Sequence, residues 1–137
     1  MRCPFCGGDS EAETRGRWAI TLPLEPPSQN ELAANKGNYA ARRRYRKYRD
    51  DYILLLTPFA RTLPLPAGKR RVLITRLYSA RGQRYDKGNL VGGCKPLLDA
   101  MVRCHLLLDD NEQSIEDYYY QTRAGESGVR ILVEELA

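Results

Sequence analysis

Apolar residues gather in four short stretches of this chain and recur at helical spacing in two longer ones. Arg17-Trp-Ala-Ile-Thr-Leu-Pro23 is rich in β-formers and stopped by a proline, which predicts a first strand. Pro26-Pro27-Ser28-Gln29-Asn30 cannot continue it, because neither proline donates a ladder hydrogen bond. A loop is expected there, with Asn30 at its end to cap a turn or contact a ligand. Asn38 is then placed to cap a helix from about Tyr39 to Leu56. In it Tyr45, Tyr48, Tyr52, Leu55 and Leu56 fall three or four apart and form one apolar stripe. Pro64, Pro66 and Gly68 mark a connector. Arg71 to Ser79 is nearly continuously apolar and β-branched, the pattern of a strand central in its sheet. Pro96 can open a second helix, whose buried side is Leu97, Leu98, Met101 and Val102, as far as about Leu106. Residues 114–121 and 129–134 read as two more strands, and Ala124-Gly-Glu-Ser-Gly128 between them predicts an antiparallel hairpin. The order is β-α-β-α-β-β, an α/β (α+β) fold with a small mixed sheet of about four strands and two main helices.

Composition narrows the function. At 137 residues one domain is expected, here residues 16–137 behind an N-terminal tail of residues 1–15. No apolar run approaches the roughly 20 residues that span a bilayer, and Met1-Arg-Cys-Pro lacks the apolar core of a signal peptide. No membrane partner is expected. Four cysteines without an export signal point to thiols in a reducing cytoplasm. Cys3-Pro-Phe-Cys6-Gly is half of a zinc knuckle, and the other candidates, Cys94, Cys104 and His105, are not spaced as a second half. A tail without metal is the favoured reading, and zinc at Cys3 and Cys6 stays open. The net charge of +5 favours an anionic partner. Arg42, Arg43, Arg44, Arg46, Lys47 and Arg49 crowd one helix, and Arg81, Arg84 and Lys87 follow the second strand. Such density suits a phosphate backbone. Tyr45 and Tyr48 among them read as core.

The chemistry sits between residues 86 and 110. Asp86-Lys-Gly-Asn89-Leu90, Lys95, Asp99 and Leu108-Asp109-Asp110 place carboxylates at both ends of a helical pattern, with a lysine inside. Carboxylates converging without histidine or cysteine suit a hard cation such as Mg2+, and a lysine suits charge building on a phosphate. Taken singly, Asp86 and Asp110 read better as loop capping or turn chemistry; taken with Lys95 and the wider pattern, the metal site is the preferred reading.

Taken together these motifs resemble the RusA-type crossover-junction endodeoxyribonucleases, or Holliday junction resolvases, of bacteria and prophages. The similarity runs from about Trp18 to the C-terminus, through Ile20-Thr-Leu-Pro, Pro26-Pro-Ser-Gln-Asn30, Asp86-x-x-Asn89-Leu90, Lys95, Leu98-Asp99-Ala100 and Leu108-Asp109-Asp110. The resemblance implies a homodimer that uses Mg2+, with Mn2+ able to substitute, to nick branched four-way DNA in recombination and repair. It implies metal ligation by Asp86 and Asp110, with Asp109 beside them, and catalysis by Lys95 once Val91-Gly92-Gly93 is taken as an insertion. DNA contacts would come from Asn30, Arg42, Arg43, Arg44, Arg46, Lys47, Arg81, Arg84, Lys87 and Asn89. The family's motif is Asp-x-Asp-Asn-Leu, and here its second aspartate is Gly88. In an extended segment residues two apart share a side, so that carboxylate would flank the metal beside Asp86. Asp109, or Asp99 one turn beyond Lys95, would have to substitute. The alternatives are a catalytically weak or inactive junction binder and a small zinc-ribbon adaptor resting on Cys3 and Cys6.

Overall fold

Exposure of one strand and near-total burial of two others decide how the sheet is ordered. The computed structural model describes residues 14–33 and 39–136, with only the backbone of Thr14 and Arg15. The chain forms β1 (Thr14–Leu22), α1 (Gln29–Ala33), α2 (Tyr39–Ala60), β2 (Arg70–Tyr78), α3 (Lys87–Gly93), α4 (Lys95–Arg103), β3 (Ile115–Arg123) and β4 (Gly128–Leu136). The four strands make one mixed sheet in the order β1-β4-β2-β3. β4 runs antiparallel to both β1 and β2, and β3 runs parallel to β2. The fold is thus the small α+β architecture expected. The half-knuckle at Cys3 and Cys6 and the cap at Asn38 lie outside the described residues.

The expected β3–β4 hairpin does not form. β4 is buried at every position from Gly128 to Glu135 except Arg130, so it needs neighbours on both edges. β3 is mostly polar and exposed, with only Ile115 buried, and fits an edge. The segment after β3 arches over the end of β2, where the Ala124 N–H donates to the Tyr78 carbonyl at 2.8 Å. β2 is buried throughout and central, as its sequence predicted. Its parallel partner is reached through α3 and α4, the crossover that parallel strands require.

Tyr52 and Leu56 of α2 and Leu97, Leu98 and Met101 of α4 pack on Ile20, Leu22, Val72, Ile74, Val129, Ile131 and Val133 of the sheet. The stripe predicted for α2 therefore faces the core from Tyr48 to Leu56, whereas Tyr45 is half-buried outside the core cluster beside Arg42 and Arg46, and the helix continues four residues beyond its expected end. Pro96 sits in the first turn of α4, whose own start at Lys95 separates it from α3. The expected loop holds the short helix α1, whose first turn is fixed by the Ser28 hydroxyl accepting the Glu31 N–H at 3.0 Å. No helix among the described residues is long and apolar enough to cross a membrane.

Candidate metal and DNA site

Asp86 is the N-cap of α3, which corrects the extended segment expected there. One carboxylate oxygen accepts the Asn89 N–H at 2.8 Å and the other accepts the Asn89 amide nitrogen at 3.1 Å. Asn89 in turn accepts the Asn30 N–H through its side-chain oxygen at 3.0 Å. The proline-rich loop and Asp86-x-x-Asn89 are therefore one hydrogen-bonded unit. Asn89, read as a DNA contact, spends its amide inside the protein.

Gly92 and Gly93 have a physical reason as well. A Cβ on Gly93 would lie 1.7 Å from the Pro27 carbonyl oxygen, and one on Gly92 would lie 2.4 Å from the Gln29 side chain. The glycines give α3 a flat side on which the proline-rich loop lies. Gly88, by contrast, has open space, and the nearest atom to a Cβ there would be an Asp86 carboxylate oxygen at 3.6 Å. A side chain at position 88 would thus still neighbour Asp86, although the backbone is helical.

Behind Asp86 stands Arg76, a residue the sequence reading passed over because it interrupts an apolar strand by only one position. It is buried, and it bonds Glu25 at 2.7 Å, the Gln83 carbonyl at 2.9 Å and the Gln121 side-chain oxygen at 3.0 Å, with its guanidinium 3.4 Å from the centre of the Tyr85 ring. Gln121 also clamps the Tyr85 backbone, accepting its N–H at 3.0 Å and donating to its carbonyl at 2.6 Å. The loop that delivers Asp86 is thereby fixed to β2 and β3. A buried charge of this kind needs its partners, and here it has them.

Asp86, Lys87 and Arg84 share the wall of a cavity of about 390 Å3 with Tyr119, Tyr120 and Gln121. A second cavity of about 200 Å3 lies beside it, between Lys87 and residues 117–120 of β3. The Tyr119 hydroxyl donates to Asp117 at 2.6 Å. Burial, first, and then Asp117 and Asp110 hold that phenol far above its ordinary range, so it stays a neutral donor. Asp110 also acts on Tyr45 of α2, whose phenol is raised by burial and by Asp99 before it. Asp110 therefore lies within electrostatic reach of Tyr119, which lines the larger cavity together with Asp86. Its carboxylate lines neither cavity.

The remaining candidates divide. Asp109 turns its carboxylate to the Asp110 N–H at 2.7 Å and the Asn111 amide at 3.1 Å, which is turn chemistry. Asp99 is engaged by Arg103 at 3.2 Å and Arg49 at 4.0 Å. Lys95 is exposed and joins no hydrogen bond or ion pair among the described residues. The seven residues of α3 stand between it and Asp86, roughly 10 Å of helix. Lys87 is the cation that both cavities include. On α2, Arg44 donates to the Glu31 carbonyl at 2.7 Å and Lys47 pairs with Asp51 at 3.2 Å. Arg42, Arg43 and Arg46 stay exposed, as do Arg81 and Arg84 beyond β2.

Among the described residues no three His, Cys, Asp or Glu side chains come together as a ready cation cage. A Mg2+ ion is commonly held by one or two carboxylates and completes its octahedron with water and substrate phosphate, so Asp86 on the wall of a basic-rimmed cavity fits such an ion, although the structure does not bring Asp110 into the same cavity. Zinc has no such set among the described residues. Cys94 is buried with its thiol pushed up to about 12 by that burial, against the opposing effect of Arg76. The Cys104 thiol points at the Ile53 carbonyl, and His105 ends α4 exposed to solvent. No protein-family model matches the chain, and no curated protein matches it.

Proposed function

We propose that this protein is a Mg2+-dependent, structure-selective endodeoxyribonuclease of RusA type that nicks four-way DNA junctions as a homodimer. The observation that carries the reading is Asp86: a carboxylate pinned by Asn89, on a cavity wall rimmed by Arg84 and Lys87, beside a tyrosine that also feels Asp110. Asp86 and Asp110 would hold the metal, which when bound acidifies water and shields phosphate charge. Lys87 would pair with the phosphate entering the cavity, and Lys95 would meet the backbone farther along α4. Arg42, Arg43, Arg46, Arg81 and Arg84 grip DNA by charge, without reading bases, so affinity should fall steeply with salt. Two active centres related by a two-fold axis suit paired cuts on a symmetric branch.

The test is a labelled four-way junction incubated with Mg2+ or Mn2+. Cutting that disappears in Asp110→Asn while junction binding persists supports the enzyme. Gly88, and the lack of a third grouped carboxylate among the described residues, favour a second reading, a junction binder that does not cut. Tight binding with no product under either metal would establish that one instead.

A further inference from the structure

β3 is an edge strand nine residues long, and the backbone groups on its open side have no partner among the described residues. The Arg70 N–H donates to the Ser114 carbonyl and the Ala124 N–H donates to the Tyr78 carbonyl, so even-numbered residues of β3 turn their backbone toward β2. By the two-residue alternation of a strand, Asp117, Tyr119, Gln121 and Arg123 turn theirs outward. Long free edges are ordinarily blunted by lysine or proline, and Ile-Glu-Asp-Tyr-Tyr-Tyr-Gln-Thr-Arg contains neither.

We propose that this edge pairs antiparallel with the same edge of a second copy, with Tyr120 on the two-fold axis, joining two four-stranded sheets into one of eight. The strand's charge pattern selects that occupant. Its acidic residues, Glu116 and Asp117, precede the tyrosines and its Arg123 follows them. Reversal about Tyr120 sets Asp117 opposite Arg123 of the second copy, and Tyr119 opposite Gln121. Both pairs are ladder partners, since all four residues turn their backbone outward, and opposite charges directly across a sheet attract. A parallel in-register arrangement would align acid with acid, and an antiparallel shift by two residues would lose the Asp117–Arg123 pairing. One Arg123 nitrogen already donates to the Ala80 carbonyl at 3.0 Å, which holds the side chain at this end of the strand. The cavity between Lys87 and residues 117–120 lies on this edge, so the second copy would contribute a wall to it. The inference deepens the nuclease reading by saying where two copies meet, yet its test needs no cleavage.

Sedimentation and light scattering of the full chain from about 1 to 100 μM decide it. The wild type should reach twice the 15.6 kDa of one chain. Asp117→Pro removes an outward N–H that β2 does not use, so it should stay folded by circular dichroism and run as a monomer. Arg123→Glu should weaken the dimer roughly tenfold, and the double variant Asp117→Arg, Arg123→Glu should restore it. A wild type that stays monomeric, or a dimer indifferent to both single variants, overturns the proposal. Cutting by such an indifferent dimer would leave the nuclease reading standing, and a dimer sensitive to both variants that never cuts would do the reverse.

Discussion

Asn89 donates to both carboxylate oxygens of Asp86, from its backbone at 2.8 Å and from its amide at 3.1 Å. One aspartate thus caps a helix and, on the reading above, binds a metal, and the two roles can be separated. Asparagine caps a helix about as well as aspartate, so Asp86→Asn should melt within a few degrees of the wild type yet lose nearly all junction cutting. Asp86→Ala should lose the cutting and, in addition, about 1 kcal/mol of stability. Urea unfolding beside a cleavage assay checks both. An Asp86→Asn variant that cuts at the wild-type rate would leave this residue only its structural role.

Position 88 offers a gain-of-function test. A Cβ there meets nothing nearer than an Asp86 oxygen at 3.6 Å, and an acid in the first turn of a helix is electrostatically welcome. Gly88→Asp should therefore fold, and it should lower the Mg2+ concentration for half-maximal cutting by severalfold. An unchanged metal titration would remove position 88 from the site.

The glycines of α3 make the opposite prediction. Gly93→Ala drives a methyl group into the Pro27 carbonyl, a backbone contact that cannot swing aside. It should cost at least about 2 kcal/mol, read as a lower urea midpoint, and it should free the proline-rich loop to proteolysis. Gly68→Ala meets nothing within 4 Å and should be neutral or slightly stabilising.

His105 occupies the left-handed region at φ 63, where α4 ends. The His105 N–H bonds the Val102 carbonyl at 3.0 Å and the Leu106 N–H bonds the Met101 carbonyl at 2.9 Å, a helix ending that usually employs glycine at this position. His105→Gly should stabilise the protein by about 1 kcal/mol, raising its melting temperature by a few degrees. A lower melting temperature would mean that the imidazole itself makes a stabilising contact.

Alkaline pH should weaken the fold through Cys94. Its native thiol is raised from 9.0 to about 12 by burial. Below pH 9 the thiol is protonated in both states and costs nothing. Above pH 9 the unfolded thiol ionises while the buried one cannot, so stability falls as pH climbs toward 12. The urea midpoint should decline over that window, and less steeply in Cys94→Ala, and native Cys94 should resist thiol reagents. Equal slopes in the two proteins would discard this thiol as a cause.

The strand at residues 70–78, the amphipathic stripe of α2, the buried side of α4 and the class of the fold were all legible in the sequence. Each follows from local periodicity, which fixes which side of an element is apolar wherever that element packs. Along β3 the same two-residue alternation packs Tyr119 toward the core and leaves Tyr118 and Tyr120 exposed. Which strands pair was beyond it. A short connector between two strands reads as a hairpin, yet β4 was drawn between β1 and β2 because its apolar residues needed cover on every side. Of the candidate site, the acids and cations were visible as residue types. That Asp86 is held by Asn89, that two glycines seat the proline-rich loop, and that Arg76 and Gln121 anchor the segment before Asp86 all required the folded chain. Asp86 and Asn89 are only three positions apart, but Asn89 meets Asn30, Gly93 meets Pro27 and Arg76 meets Gln121 across dozens of positions, and no local pattern encodes a distance in space.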